Sequence, residues 1–127
     1  MPIVTIELVT DEGSKTGAAL PSAEKIREIT DGLGALFDSR PSGTWVKFRE
    51  QLREHYAENS VELAADVRPV VVEILKAELP DSTSLATEAR AVCLLVAQVL
   101  QRPPENVHVI YQPAARGRIA FGGELVR

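Results

Sequence analysis

The residue with the least ordinary chemistry in this chain of 127 residues is the second, Pro2. A small residue after an initiator Met is normally exposed by removal of that Met, and here the residue so exposed is a proline. An N-terminal proline is a secondary amine. With no acyl group to delocalise its lone pair, it can serve as a base or a nucleophile, which no internal proline can do. The alternative is that Pro2 merely opens a strand, a position where proline is tolerated. The other chemistry-bearing residues read more plainly. Cys93 falls on an apolar helix stripe and reads as core. His55 and His108 have no acidic or cysteine partner at ligand spacing, so no metal site is expected. Gly32-Leu33-Gly34 lacks a third glycine and lies within a helical pattern, so it is no nucleotide fingerprint, and no cofactor is expected.

An N-terminal amine needs a fixed strand to hold it. Pro2 to Val9 supplies one, rich in β-branched and apolar residues and followed by the turn cluster Thr10 to Ser14. Pro21-Ser22-Ala23-Glu24 then reads as a helix start, with Ile26, Ile29, Leu33, Leu36 and Phe37 on one stripe. Ser39 to Gly43 stops it, and Thr44 to Arg49 reads as a second strand. After a polar segment (50–60) and a linker (61–68), the pattern begins again. Pro69 to Leu75 is a strand opened by proline, 85–100 a helix carrying Ala89, Val92, Cys93, Val96 and Leu100, and Asn106 to Tyr111 a strand. Gly117 to Val126 closes the chain as a glycine-punctuated hairpin.

The repetition is an internal duplication. Pro2, Val4 and Leu8 recur 67 positions later as Pro69, Val71 and Leu75, and Arg27, Pro41, Val46, Arg53 and Ala57 recur 63 later as Arg90, Pro104, Val109, Arg116 and Ala120. The expected fold is therefore α+β: one domain over 1–127, with repeat one at 2–60, the linker at 61–68 and repeat two at 69–127. Each β-α-β unit pairs its strands in parallel through a right-handed crossover. Together they form a four-stranded, mainly parallel sheet with two helices on one face. Pro2, Val4, Ile6 and Leu8 point to one side of it, Ile3 and Val9 to the other. Since such sheets are normally covered on both sides, the face without helices is expected to meet other copies of the chain.

Composition limits the partners. With 45% hydrophobic residues and a net charge of −4, neither nucleic acid nor a membrane surface is an expected partner. The longest unbroken apolar run, Ala91 to Ala97, is too short to span a bilayer. No basic region and apolar core mark an export signal, and the one cysteine excludes an internal disulfide framework, so a cytoplasmic location is expected.

With Pro2, two β-α-β units and the closing hairpin in hand, the sequence resembles the tautomerase superfamily. Its closest pattern is a fused, double-length 4-oxalocrotonate tautomerase. The start, Pro2-Ile3-Val4-Thr5-Ile6, is similar to that family's catalytic strand. Pro104 to Tyr111 and Arg116 to Leu125 are similar to its last strand and hairpin. The resemblance implies a homotrimer with Pro2 as general base, isomerising small 2-oxo acids or their enols. Free α-amino groups titrate near ~8, and an apolar pocket with nearby cations lowers that further. It also implies cations to hold a carboxylate or enolate oxygen, for which Arg49, Arg116, Arg118 and Lys47 are the candidates, Arg49 and Arg116 foremost. His108, Tyr111 and Phe121 are possible pocket residues. The sequence departs from the pattern in two places: His108 stands where the short tautomerase has a catalytic arginine, and Asp11 and Glu12 follow the first strand. Two alternatives stand beside isomerisation. A proline kept cationic by a carboxylate such as Glu50 or Glu124 would favour hydration, dehalogenation or decarboxylation, and a retained Met1 would leave a non-catalytic binding protein.

Overall fold

The structure is a computed structural model and describes residues 2–11 and 20–127. Glu12, Gly13 and Ser14 of the expected turn lie outside the described residues. Eight elements position the site: β1 (Ile3–Thr10), α1 (Ala23–Leu36), β2 (Trp45–Leu52), β3 (Val70–Leu75), α2 (Ser82–Leu100), β4 (Val107–Tyr111), β5 (Ala120–Phe121) and β6 (Glu124–Leu125).

Side-chain caps set the helix starts. The Ser22 hydroxyl accepts the Lys25 N–H at 3.2 Å, and Asp81 accepts the Ser84 N–H at 2.8 Å. The Asp81 cap starts α2 at Ser82, a turn earlier than its apolar stripe suggests, and the bonded Ser84 amide holds the Asp81 carboxyl below its ordinary range. β2 likewise runs beyond Arg49 to Leu52. Its polar residues Glu50 and Gln51 stay paired with Leu8 and Val9, because an edge strand needs only one partner, and the Thr10 hydroxyl donates to Glu50 at 3.0 Å.

The four main strands lie in the order β2-β1-β3-β4. β1 and β2 are parallel, as are β3 and β4, but β1 and β3 meet antiparallel. The sheet is thus mixed, with parallel pairing inside each repeat and an antiparallel seam between them. Both helices pack on one face. There Ile29 and Leu33 of α1 and Val92 and Val96 of α2 bury Val4, Ile6, Leu8, Val70, Val72 and Ile74. Each such aliphatic side chain contributes ~1.5–3 kcal/mol relative to an exposed one. The helices approach closely at Gly32, where a Cβ would stand 2.7 Å from Leu95 Cδ2.

Facing positions on neighbouring strands share a face. The register therefore puts Ile3, Thr5, Glu7 and Val9 on the helix-free side with Trp45, Lys47, Arg49 and Gln51. Val71, Glu73 and Leu75 join them from β3, and His108 and Ile110 from β4. This face is not the apolar surface that Ile3 and Val9 imply. It alternates apolar residues with charge.

Candidate active site

Pro2 is held at the end of the sheet where β1, β2 and β3 converge. Its carbonyl accepts the Trp45 N–H at 3.0 Å, and the adjacent Ile3 pairs with Trp45 on one side and Leu75 on the other. The proline is buried and borders an open cleft of about 580 Å³ whose opposite wall is the α1–β2 connection, Phe37 to Gly43.

That connection is tied down throughout. Asp38 and Ser42 adopt left-handed backbone (φ 52° and 64°), and the Ser39 and Gly43 amides donate at 2.8 Å to Gly34 and Arg40 carbonyls. Ser39 Oγ and Thr44 Oγ1 share a hydrogen bond of 2.6 Å, and the Trp45 indole N–H donates to the Ser42 carbonyl at 2.9 Å. Gly43 is required, because a Cβ there would lie 2.8 Å from the Arg40 carbonyl oxygen, a backbone atom that cannot give way. The loop so held carries Arg40 and Asp38 on the cleft wall. Among the described residues no carboxylate pairs with the Arg40 guanidinium.

A second set of polar groups lies behind Phe37. Lys76 Nζ sits 4.7 Å from the centre of the Phe37 ring and 2.7 Å from Glu88 Oε1, and both side chains are largely buried. The Tyr111 hydroxyl donates to the other oxygen, Glu88 Oε2, at 2.7 Å. Burial, and then the Glu88 carboxylate, push the Tyr111 phenol well above its ordinary range.

The residues expected from sequence are distributed differently. Lys47 and Arg49 stand on the helix-free face, facing Thr5 and Glu7. Arg49 is four residues along β2 from Trp45, roughly 13 Å at a rise of ~3.3 Å per residue. Within one chain they do not reach Pro2's cleft. Arg116 donates to Glu78 at 2.7 Å and to the Arg127 carbonyl. Arg118 donates to the Ala114 carbonyl and borders a separate cavity of about 230 Å³ beside Leu75 and Ile119. His108 is exposed opposite Val71, toward the Pro69 end of the sheet. Phe121 packs edge-on against Trp45, ring centres 5.2 Å apart. Glu50 is bonded to Thr10 at the far end of β1, and Glu124 is exposed on the hairpin. Arg40, Asp38, Lys76 and Glu88 were not singled out by sequence reasoning. The one available signal was position, since Arg40 lies in the connection that returns the chain beside Pro2. Among the described residues no three of His, Cys, Asp and Glu gather as a metal site.

No protein-family model and no curated protein matches the sequence. The fold, however, is shared with solved structures. Macrophage migration inhibitory factor from Oncomelania hupensis superposes with a TM-score of 0.74 at 15% identity, covering 100% of this chain and 83% of that one. Pt0534 inactivated by 2-oxo-3-pentynoate gives 0.72 at 16%, covering 98% and 94%. The F6 fused 4-OT, an asymmetric trimer, gives 0.70 at 13%, covering 98% and 96%. This chain has the tautomerase and macrophage migration inhibitory factor fold over nearly its whole length.

Proposed function

We propose that this protein is a tautomerase-type enzyme in which Pro2, freed by removal of Met1, is the general base for keto–enol or double-bond isomerisation of small 2-oxo acids. The observation that carries the reading is the cleft itself, which Pro2 and an arginine with no carboxylate partner among the described residues line together. A neutral secondary amine there removes a proton next to the substrate carbonyl and returns it elsewhere on the conjugated system. Arg40 holds the substrate carboxylate through a charge-assisted pair and turns the reacting carbon toward Pro2. The chain acts as a homotrimer, in keeping with the trimeric fused 4-OT structures of the same fold. A neighbour supplies what one chain lacks: Lys47, Arg49 and His108 are the residues its helix-free face would bring, and Arg116 and Arg118 those of its C-terminal segment.

Asp38 favours a second reading. A carboxylate on the cleft wall stabilises a protonated amine, and a cationic Pro2 would act as an acid in hydration, dehalogenation or decarboxylation.

One experiment tests the base. Intact mass is measured before and after treatment with 3-bromopyruvate near neutral pH, followed by assay of 2-oxo acid enolisation. The expected result is a chain lacking Met1, one adduct mapped to Pro2, and activity lost in Pro2→Ala. A retained Met1, or full activity in Pro2→Ala, overturns the reading.

A further inference from the structure

The β1–β3 ladder ends at the pair Ile3–Leu75. The next facing positions are Pro2 and Lys76, and alternation puts both on the helix-covered side with Val4 and Ile74. Both ends of that pair are fastened. The Pro2 carbonyl accepts from Trp45, and the Lys76 carbonyl accepts the Ala115 N–H at 2.9 Å. Phe37 is a second link, since this residue borders Pro2's cleft and its ring carries the Lys76 ammonium at 4.7 Å. Lys76 is not one of the residues lining the cleft, so its role is that of a positioning residue. Its position is set by three elements: the lysine directly follows β3, α2 contributes Glu88, and β4 ends in Tyr111, whose hydroxyl donates to the second carboxylate oxygen.

We infer that this Lys76–Glu88–Tyr111 cluster sets the protonation state of the Pro2 amine, with Lys76 as a positioning residue that opposes its protonation and Glu88 as the counterweight. The inference rests on the reading of Pro2 as a free amine. Among the described residues, the charged and titratable groups on the elements around Pro2 are Arg40 and Asp38 on the α1–β2 connection, Lys76 after β3, Glu88 on α2 and Tyr111 on β4, together with the exposed Lys47 on β2, Glu73 on β3 and Arg118 beside Leu75. Arg40 and Asp38 are exposed and screened by water, whereas Lys76 and Glu88 act through a largely buried interior, where charges are screened least. A fixed ammonium beside a second amine disfavours a second positive charge, and the carboxylate between Lys76 and Tyr111 limits that effect. Tyr111 keeps Glu88 in place without adding charge, because burial and the carboxylate keep its hydroxyl protonated.

The two charged partners then have opposite signatures, which general loosening of the structure would not produce. The measurement is the rate of 3-bromopyruvate addition to Pro2 as a function of pH, with the adduct mapped by mass spectrometry on the full chain. Only the unprotonated amine reacts, so the profile rises through the amine's titration. Lys76→Met moves the midpoint up and Glu88→Gln moves it down, each by about half a pH unit to one unit. Lys76→Arg stays near the parent value. Where Lys76→Met fails to fold, Glu88→Gln decides alone, and a midpoint that is unmoved or raised overturns the inference. Equal midpoints in all variants, or shifts of the same sign in Lys76→Met and Glu88→Gln, overturn it too. Those results differ from failure of the underlying reading, in which the parent Pro2 takes no adduct at any pH and the inference falls with it.

Discussion

Trp45 fastens Pro2 to the loop that faces it. Its backbone N–H donates to the Pro2 carbonyl at 3.0 Å, and its indole N–H donates to the Ser42 carbonyl at 2.9 Å on the opposite wall of the cleft. One residue at the start of β2 thus sets the width of the site, and the Phe121 ring braces its outer edge. Trp45→Phe retains an aromatic ring but loses the bond to Ser42, at a cost of ~0.5–1.5 kcal/mol. Trp45→Ala also loses the edge-to-face contact, for ~1–3 kcal/mol in all. Urea unfolding gives the stability, and the rate of Pro2 alkylation at fixed pH reports the looser cleft. Equal stability in parent and Trp45→Ala would refute the brace.

Arg40 and Arg49 separate by their faces. Arg40→Ala is expected to raise KM for a 2-oxo acid by about tenfold to a hundredfold, the range for a charge-assisted pair of ~1.5–3 kcal/mol. If a neighbouring copy carries Arg49 to the site, the effect of Arg49→Ala is lost on dilution to monomers while that of Arg40→Ala persists. Steady-state kinetics over a range of protein concentration check both. A wild-type KM in Arg40→Ala would remove it from the site.

Tyr111 makes an alkaline limit. Its phenol is raised first by burial and then by Glu88, while an unfolded tyrosine ionises near ~10. Below pH ~10 both states keep the proton and the Tyr111–Glu88 bond contributes fully. Above it the unfolded chain gives up a proton that the folded chain retains, so stability falls as pH rises. Urea midpoints measured through that range should decline in the parent and less steeply in Tyr111→Phe. Tyr56, raised by its bond to Glu58, contributes a slope of the same sign.

Two glycines of α1 have opposite reasons for being there. Gly32 faces Leu95 at the helix crossing, whereas a Cβ added at Gly34 would meet no heavy atom within 4 Å. Gly34→Ala should stabilise by ~0.5–1 kcal/mol through helix propensity alone. Gly32→Val forces Leu95 aside and should destabilise by ~1–3 kcal/mol. Thermal or urea unfolding of the two variants should differ in sign.

Ile110 tests the assembly. It is 47% exposed on the helix-free face, so Ile110→Lys removes little from the folded chain. If that face joins copies into a trimer, the variant sediments as a monomer with an unchanged circular dichroism spectrum. A trimer that survives Ile110→Lys would place the interface elsewhere.

Much of the fold was legible because it is written in local periods. Val4, Ile6 and Leu8 alternate, Ile29 and Leu33 sit one helical turn apart, and the same order recurs from Pro69. The antiparallel seam was not legible, because β-α-β geometry fixes pairing within a repeat and is silent on how two repeats dock. The site was legible at Pro2 and obscure around it. Arg40 is placed by left-handed backbone at Asp38 and Ser42, residues that carry no glycine signal for such turns. The register of the seam is what brings the position of Lys76 opposite that of Pro2. The face of Arg49 could have been read, since Trp45, Lys47 and Arg49 alternate with the inward Val46 and Phe48.

The antiparallel seam also puts the two strand-opening prolines at opposite ends of the sheet, where the Pro69 carbonyl accepts from Val9 as that of Pro2 accepts from Trp45. Pro69 is an amide however the chain is processed. On the proposed reading of Pro2, the repeat copies the scaffold and leaves the amine single, giving the molecule a working pole and an idle one. At the idle pole Arg102 donates to the Arg68 carbonyl, and Arg68 pairs with Asp11. Those bonds tie the start of β3 to the end of α2 and to the end of β1, so this end of the sheet is closed by ion pairing where the Pro2 end stays open as a cleft.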